Sequence, residues 1–353
     1  MKKAKKAAVI LLTLAMISSF AGCAGKNGNE GGGKAITVYN WGDYIDETVL
    51  KDFEKEYGID VTYDTFTTNE DMYVKLKSGG ASYDVIFPSD YMIARLIKED
   101  MLQKIDLGRI TNYHYIEDEF KNLAYDPDNE YSVPYMWGTV GILYNTTMVD
   151  EPVDSWDILW DPKYEKNIFM LDSQRDSIAV ALKKLGYSLN TRDEAGLGAA
   201  KQELIRQKPL VLSYVGDEVK DKMISGEAAL AVVWSGDAIY TIRENPDLAY
   251  AIPKEGTNLW FDAMCIPKSS KNKEEAEDFI NYMTDPNIAL RNTEYIGYST
   301  PNTGALEMLD EETRNDKAAY PDMDSLDGSE VFEDLSDIIG TYNRIWDEIK
   351  AAR

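Results

Sequence analysis

Aromatic and acidic residues recur together at the points where predicted β-strands end. The stretches that carry this pairing are "VYNWGDYI" with Trp41, Asp43 and Tyr44, "PSDY" with Ser89 and Tyr91, "MLDSQRD" with Asp172, Ser173 and Asp176, "VVWSGD" with Trp234 and Asp237, and "LWFDAM" with Trp260 and Asp262. In open α/β sheets, ligands bind beyond the carboxyl ends of the strands. The sequence therefore predicts one crevice lined by indoles, phenols and carboxylates.

Carboxylates in such a crevice indicate a cationic ligand, because helix N-termini alone would favour anions. Each Trp or Tyr face attracts an ammonium group by about 0.5–2 kcal/mol and each covered methylene contributes about 0.8 kcal/mol. A hydrogen bond from an ammonium to a carboxylate adds about 1.5–3 kcal/mol. These groups suit a linear alkyl chain with amines at intervals. For any single stretch the alternative is a core Trp and a helix-capping or turn Asp, and Asp43 could be such a cap; the repetition favours the ligand.

Other kinds of site find little support in the sequence. His114 is the only histidine, so no histidine–cysteine metal set can be built. The acidic stretch 322–330 fails the pattern of a calcium loop, since Leu326 and Gly328 stand where ligands would be needed. Neither a glycine-rich nucleotide loop nor a Gly-x-Ser-x-Gly elbow is present. We expect no cofactor and no metal, although an acid pair could still hydrolyse a glycoside.

The N-terminus has the features of a secretory signal. Four lysines precede an uncharged segment, and Cys23 follows "FAG" as in a bacterial lipobox. We expect cleavage after residue 22, lipidation of Cys23, and a glycine-rich tether over 23–33; the alternative is an ordinary signal peptide with an incidental cysteine. The only other cysteine, Cys265, lies in an apolar stretch and is expected to be a buried small hydrophobe. The formal net charge of -25 argues against nucleic-acid binding and favours cations, or simply keeps the protein soluble.

The body of the chain alternates short apolar runs with helical patterns, which predicts α/β architecture with mostly parallel strands. Two stretches, 131–145 and 252–268, have the character of crossovers between two α/β units. Apolar residues at helical spacing predict a C-terminal helix over 329–350.

With "VYNWGDYI", "YDVIFPSDYM", "YSVPYMWGTVGILYN", "SWDILWDPKY", "WFDAMCIPK" and "IGYSTPN", the chain resembles the spermidine/putrescine-binding proteins of ABC importers from residue 36 to 353. The resemblance implies a type II periplasmic-binding-protein fold, with two α/β lobes and a ligand cleft between them. The lobes would comprise 34–136 with 262–305, and 137–261 with 306–353.

The resemblance also implies roles for individual residues. Trp41, Tyr44, Ser89 and Tyr91 would line one side of the cleft, Trp234 and Trp260 would sandwich the methylenes, Asp262 would pair with an amine, and Asp176 with Asp172 or Ser173 would hold a terminal amine. Tyr298 and Glu333 are further candidates.

The resemblance implies a non-enzymatic, lipid-anchored, extracytoplasmic protein that passes a polyamine to an ABC permease, touching the membrane only through its anchor. The alternatives are an extracytoplasmic carbohydrate-active enzyme and a binding protein for another organic cation.

Overall fold

Strands and helices alternate along the chain, as the sequence predicts. The structure, a computed structural model, describes residues 33–79, 82–322 and 326–352. The strands are β1 Lys34–Trp41, β2 Ile59–Phe66, β3 Val85–Ile86, β4 Leu102–Gln103, β5 Ser132–Asn145, β6 Ile168–Leu171, β7 Val211–Val215, β8 Leu230–Trp234, β9 Leu248–Ala251 and β10 Leu259–Pro267. The α-helices are α1 Glu47–Tyr57, α2 Asn69–Ser78, α3 Asp90–Lys98, α4 Gln174–Lys184, α5 Glu194–Gln207, α6 Val219–Ile224, α7 Ser235–Glu244, α8 Lys273–Met283, α9 Pro286–Ile296, α10 Thr303–Met308, α11 Glu311–Asn315 and α12 Ile339–Ala351. Short 3₁₀ helices lie at Thr111–Tyr115, Asp118–Phe120, Trp156–Trp160 and Pro162–Tyr164.

Two sets of parallel strands are joined through an antiparallel centre. In the described part of the chain the sheet order is β2-β1-β3-β10-β5-β8-β6-β7, with β4 beside β10 and β9 beside β5. β1 pairs in parallel with β2 and β3, and β6 pairs in parallel with β7 and β8. All pairs made by β5 and β10 are antiparallel. The predicted parallel order thus holds at both ends of the sheet but not at its centre.

The long strand β5 passes from one set of strands to the other. Its residues 132–139 pair with β10, and its residues 140–145 pair with β8 and β9. A second connection runs from β9 through residues 252–258 into β10. Both predicted crossovers therefore lie where the chain passes between the two sets of strands.

The first β-α unit shows why these residues form these elements. Ile36 and Val38 of β1 are buried, and they pack in one core with Val49 and Phe53 on the inner face of α1. Asp46 caps the helix by accepting a hydrogen bond from the Thr48 backbone N–H. Asp43 therefore does not cap α1, and the alternative interpretation of Asp43 as this cap is wrong.

The C-terminal helix is shorter than the sequence predicts, because it begins only at Ile339. The residues before Ile339 make hydrogen bonds with distant segments of the protein and do not form a helix. The Glu330 N–H donates to the Thr257 carbonyl at 2.9 Å, and the Glu330 carbonyl accepts from the Leu259 N–H at 3.0 Å. The Asn190 amide bonds the carbonyl of Val331 at 2.8 Å. Tertiary hydrogen bonds therefore override the helical pattern of residues 329–338.

The predicted signal segment 1–22, the lipidation site Cys23 and nearly all of the tether 23–33 lie outside the described residues. Among the helices that are described, none is both long enough and apolar enough to cross a membrane. Gly33–Arg353 form one compact unit.

Candidate ligand-binding site

Asp262, on β10, is the buried carboxylate at the centre of the site. Its side chain is 6% exposed, and its Oδ2 accepts a hydrogen bond of 2.8 Å from the Tyr44 hydroxyl. Its Oδ1 has no hydrogen-bond partner among the described residues. Burial raises the pKa of Asp262 to about 6, and the hydroxyls of Ser89 and Tyr44 act in the opposite direction. The site therefore holds a buried carboxylate with one free acceptor.

Three aromatic rings surround this carboxylate. The Tyr298 ring makes edge contacts with Trp260, at 5.2 Å between centroids, and with Tyr44, at 5.4 Å. The indole N–H of Trp260 is buried without a hydrogen-bond partner among the described residues. The aromatic faces and the free carboxylate oxygen thus belong to one wall, as the sequence predicts.

Two glycines permit this close packing. A Cβ on Gly138 of β5 would lie 2.6 Å from the Trp260 ring, and a Cβ on Gly236 of α7 would lie 1.2 Å from the Tyr298 ring. Any side chain at either position would displace an aromatic ring of the site. These glycines have no signal in the sequence, because the rings they admit come from distant segments.

Trp41 and Trp234 stand at the ends of β1 and β8, and both are partly buried. The Trp41 indole N–H donates to the Phe87 carbonyl at 2.8 Å, and its ring packs on Phe66 at 4.6 Å. Trp234 immediately precedes α7, which carries Gly236 beside the Tyr298 ring. The structure therefore places Trp234 two positions before Gly236, which packs on Tyr298, and fixes the orientation of the Trp41 indole.

Ser89 forms an antiparallel bridge with Asp262. The Asn69 amide donates a hydrogen bond of 3.0 Å to the Ser89 hydroxyl. The adjacent Asp90 is buried and accepts hydrogen bonds from the backbone N–H groups of Phe261, at 3.0 Å, and Tyr91, at 2.6 Å. Burial raises the pKa of Asp90 to about 8. Asp90 thus fastens the start of α3 to β10, a role that its position in "PSDY" did not reveal.

Asp176 is a second buried carboxylate, at the start of α4. The Ser173 hydroxyl donates to its Oδ2 at 2.6 Å, and the Asn258 amide donates to its Oδ1 at 3.2 Å. Burial raises the pKa of Asp176, whereas the contacts with Ser173 and Asn258 lower it. Asp172, in contrast, is exposed and bonds the Lys350 ammonium of α12 at 2.5 Å. The structure joins Asp176 to Ser173 but does not bring Asp172 to this group.

Tyr91 lies beside Phe332, with ring centroids 6.1 Å apart. Its hydroxyl donates to Glu70 at 3.1 Å. The carboxylate of Glu333 is exposed and pairs with Arg192 at 3.2 Å, so it is not part of the site. The C-terminal segment instead places Phe332, one position earlier, beside Tyr91, because residues 329–338 are not helical.

The sequence analysis also missed Arg175 and Asn258. The Arg175 guanidinium is buried and lies 4.2 Å from the Phe332 ring and 5.2 Å from the Tyr91 ring. Arg175 is part of the "MLDSQRD" stretch, so its position was visible, but its stacking partners come from distant segments. Asn258, which bonds Asp176, stands in a connection without any recognisable pattern.

No metal centre is evident where the structure describes the chain, since no group of three or more His, Cys, Asp or Glu side chains could hold an ion there. Cys265 is fully buried, and burial raises the pKa of its thiol well above the ordinary value. The interpretation of Cys265 as a small core residue is confirmed.

Comparison with known proteins agrees with this architecture. A model of the bacterial extracellular solute-binding protein family matches residues 48–322. The spermidine/putrescine-binding periplasmic protein of Salmonella typhimurium is 39% identical over 320 residues, which cover 90% of this chain and 92% of that protein. A solved structure described as a putative spermidine/putrescine ABC transporter from Listeria monocytogenes has a TM-score of 0.88 and 44% identity, covering 91% of this chain and 100% of that one.

A second solved structure, the spermidine/putrescine ABC transporter substrate-binding protein of Streptococcus pneumoniae, has a TM-score of 0.79 and 44% identity, covering 90% of this chain and 98% of that one. The predicted fold class, a type II periplasmic-binding-protein fold with two α/β lobes, is confirmed by these neighbours. The chain therefore belongs to the bacterial extracellular solute-binding proteins, in the family of the spermidine/putrescine-binding proteins of ABC importers.

Proposed function

We propose that this protein captures a polyamine, spermidine or putrescine, outside the cytoplasm and delivers it to an ABC permease. The observation that carries the proposal is the Oδ1 atom of Asp262, a buried carboxylate oxygen without a partner, next to the rings of Trp260, Tyr44 and Tyr298. An unpaired buried acceptor is costly, and an ammonium donor would relieve that cost. The relatives with this fold are named for spermidine and putrescine.

The electrostatics of Asp262 suit an amine at neutral pH. With a pKa of about 6, the carboxyl is mostly ionised at pH 7, yet it is desolvated enough to gain strongly from a cation. The Tyr44 hydroxyl holds Oδ2 and leaves Oδ1 for the ligand. We expect the methylenes next to this amine to lie on the Trp260 indole, with Trp234 on their other side.

Asp176 is proposed to hold the terminal amine at the end of the polyamine that lies away from Asp262. Ser173 and Asn258 fix its two oxygens, so an amine would approach a carboxylate whose orientation is already set. Trp41, Ser89 and Tyr91 complete the proposed wall on the side of β1 and α3. Asp172 and Glu333 are left out of this proposal because both are exposed and paired elsewhere.

We propose a lobe division that differs in detail from the sequence-based ranges. The boundaries after residues 136 and 261 fall inside β5 and β10, and the boundary after residue 305 falls inside α10. β10 pairs only with β3, β4 and the first part of β5 among the described strands, so we assign all of it to the first lobe. A Cβ on Gly304 of α10 would lie 2.7 Å from Pro286 of α9, so the two helices pack closely. We therefore assign α9 and α10 to the same lobe. Binding would select the closed arrangement of the two lobes.

Cys23 is proposed to carry a lipid that anchors the protein to the outer face of the cytoplasmic membrane. The motivation is the "FAGC" stretch after an uncharged segment. Replacing Cys23 by Ser should release the protein into the soluble extracytoplasmic fraction. Continued recovery with membranes after this change would overturn the anchor.

We propose no enzymatic role, since the relatives are transport proteins that bind substrates. Thermal unfolding with putrescine, cadaverine, spermidine and spermine tests the binding function, with butane-1,4-diol as a neutral mimic of putrescine. A ligand at about 100 times its Kd stabilises the protein by about 2.7 kcal/mol. We expect a clear rise in Tm with one or more amines and none with the diol. Equal shifts with the diol, or none with any amine, would contradict the proposal.

A further inference from the structure

A second acidic group lies beside the aromatic wall, and a lysine of the protein itself faces it. The Lys220 ammonium, on α6, lies 3.5 Å from an Asp43 oxygen and 3.9 Å from Asp237 Oδ1. Asp217 completes the group, since its charge acts on both Lys220 and Asp237. The Lys220 side chain is only 18% exposed. A mostly buried ammonium thus faces the buried carboxylate of Asp237 and the exposed carboxylates of Asp43 and Asp217.

This group borders the same wall as Asp262. Asp237, Asp217 and Asp262 all act on the Tyr298 hydroxyl and raise its pKa, together with burial, which is the largest effect. The backbone of Gly236, next to Asp237, is packed against the Tyr298 ring. Tyr298 therefore contacts both Gly236, which precedes Asp237, and the rings of Tyr44 and Trp260 next to Asp262.

Asp237 retains capacity for a further donor. Its side chain is 10% exposed, and its Oδ2 makes no hydrogen bond with any described residue. Burial raises its pKa to about 7, Lys220 and the nearby Tyr298 hydroxyl lower it, and Asp217 and Asp43 raise it. At nearly 4 Å the lysine is an ion-pair partner of Asp237 but not a hydrogen-bond donor to it. This unpartnered oxygen is a second indication, beside the acidic group, of a place for an ammonium.

Lys220 itself remains a cation. Burial lowers the pKa of its ammonium, but the carboxylates of Asp237, Asp217 and Asp43 outweigh burial and leave the pKa above its ordinary value. Lys220 belongs to α6 and faces Asp43, which follows β1. The protein thus supplies, from its own chain, the kind of charge that a polyamine would bring.

We propose that Lys220 is a resident ammonium which fills the Asp43–Asp217–Asp237 end of the cleft and thereby limits the number of amines that the bound polyamine carries. This inference rests on the proposed function. A ligand amine would bind Asp262, while the next acidic group is already paired with an ammonium of the protein. Removing the lysine charge opens that group to an additional ligand amine, so the preference moves toward longer and more highly charged polyamines.

The experiment compares Lys220→Met with the wild type by titration calorimetry of the full-length protein in mild detergent, using putrescine and spermidine. One charge-assisted hydrogen bond corresponds to about tenfold or more in affinity. We expect the preference for spermidine over putrescine to increase by about tenfold or more. Lys222→Met is the matched control, because Lys222 is on the same helix but pairs with Glu227 at 3.2 Å; its preference should stay within about twofold of the wild type.

A charge-matched double variant, Lys220→Met with Asp217→Asn, covers the case in which Lys220→Met alone is too unstable to purify. It keeps the local net charge of the wild type and leaves Asp43 and Asp237 for the amine, so the same change of preference is expected. An unchanged preference would overturn the inference. Equal weakening of both amines would also overturn it, since Lys220 would then only hold the lobes together. If the wild type binds no amine, the proposed function itself fails, which is a distinguishable result.

Discussion

The Tyr44 hydroxyl donates a hydrogen bond of 2.8 Å to Asp262, a residue 218 positions further along the chain. The bond joins the loop after β1 to strand β10. It satisfies one oxygen of a buried carboxylate and leaves the other without a partner. The pair therefore combines a structural tie with an acceptor for a ligand, and the predictions below follow from that combination.

Replacing Asp262 by Asn should weaken polyamine binding by well over tenfold. The amide keeps the shape of the side chain but removes the charge that an ammonium requires. Titration calorimetry measures the change. Asp60→Asn is the control, because Asp60 is an exposed residue of β2, and its Kd should not change. A Kd for Asp262→Asn equal to that of the wild type would show that the amine binds elsewhere.

Asp176 and Asp172 should behave differently, although they are four positions apart. Asp176→Asn is expected to weaken binding by about tenfold or more, since a buried carboxylate loses its charge. Asp172→Asn should change the Kd by less than about twofold, because exposed ion pairs such as the one with Lys350 contribute little. Both affinities can be measured in the same titration series. Comparable losses for the two variants would contradict the placement of Asp172 outside the site.

Substitutions of Trp234 and Trp260 should differ in their effects on ligand affinity and on stability. Trp234 is partly exposed, so Trp234→Ala should weaken binding with only a modest loss of Tm. Trp260 is 6% exposed and packs on Tyr298, so Trp260→Ala should also cost about 3–5 kcal/mol of stability. Chemical denaturation of each ligand-free variant, alongside its titration, distinguishes the two effects. If Trp260→Ala were as stable as the wild type, the indole could not be part of the core.

Binding should weaken as pH falls below about 6. Asp262 must lose its proton to pair with an ammonium, and its pKa is about 6. At pH 5 roughly a tenth of the population is ionised, which predicts about tenfold weaker binding than at pH 7. Titrations at constant ionic strength test this prediction. In Asp262→Asn the part of the pH dependence that this carboxyl causes should disappear; an unaltered profile would assign it to another group.

The stability of the ligand-free protein should change in the opposite direction. Asp262 and Asp237 have pKa values of about 6 and 7, above the value of about 3.9 in an unfolded chain, so the folded state binds more protons between these values. Their contribution is present at pH 4 and is lost as pH rises through about 6 to 7. Denaturation curves of Asp262→Asn should show a smaller decline than the wild type over this window. An equal decline would mean that the pKa of Asp262 is not raised.

Much of the fold was predictable because its signals are local. The first β-α unit follows from an alternating strand, a capping Asp46 and a terminal Gly58 in left-handed conformation with φ of 66°. Trp41 and Trp234 end β1 and β8 as predicted, whereas Trp260 and Asp262 lie within β10 and not at its end. The antiparallel centre was not predicted, because strand direction depends on pairing between distant segments.

The surroundings of the remaining candidate residues likewise depend on contacts between distant segments. Glu333 is a candidate that the resemblance supplies, and its carboxylate is exposed because hydrogen bonds to Asn190 and Thr257 hold residues 329–338 in irregular conformation. Asp172 directly follows a buried strand in the sequence, yet a lysine of the last helix binds it. No sequence motif includes Lys220, and only the tertiary structure places it next to carboxylates.

The most direct test of the central claim is titration calorimetry of the full-length protein in mild detergent with putrescine, cadaverine, spermidine and spermine. The account predicts saturable binding of spermidine or putrescine at one site per chain, weakened more than tenfold by Asp262→Asn. Absence of binding by all four amines in folded protein at low salt would contradict it.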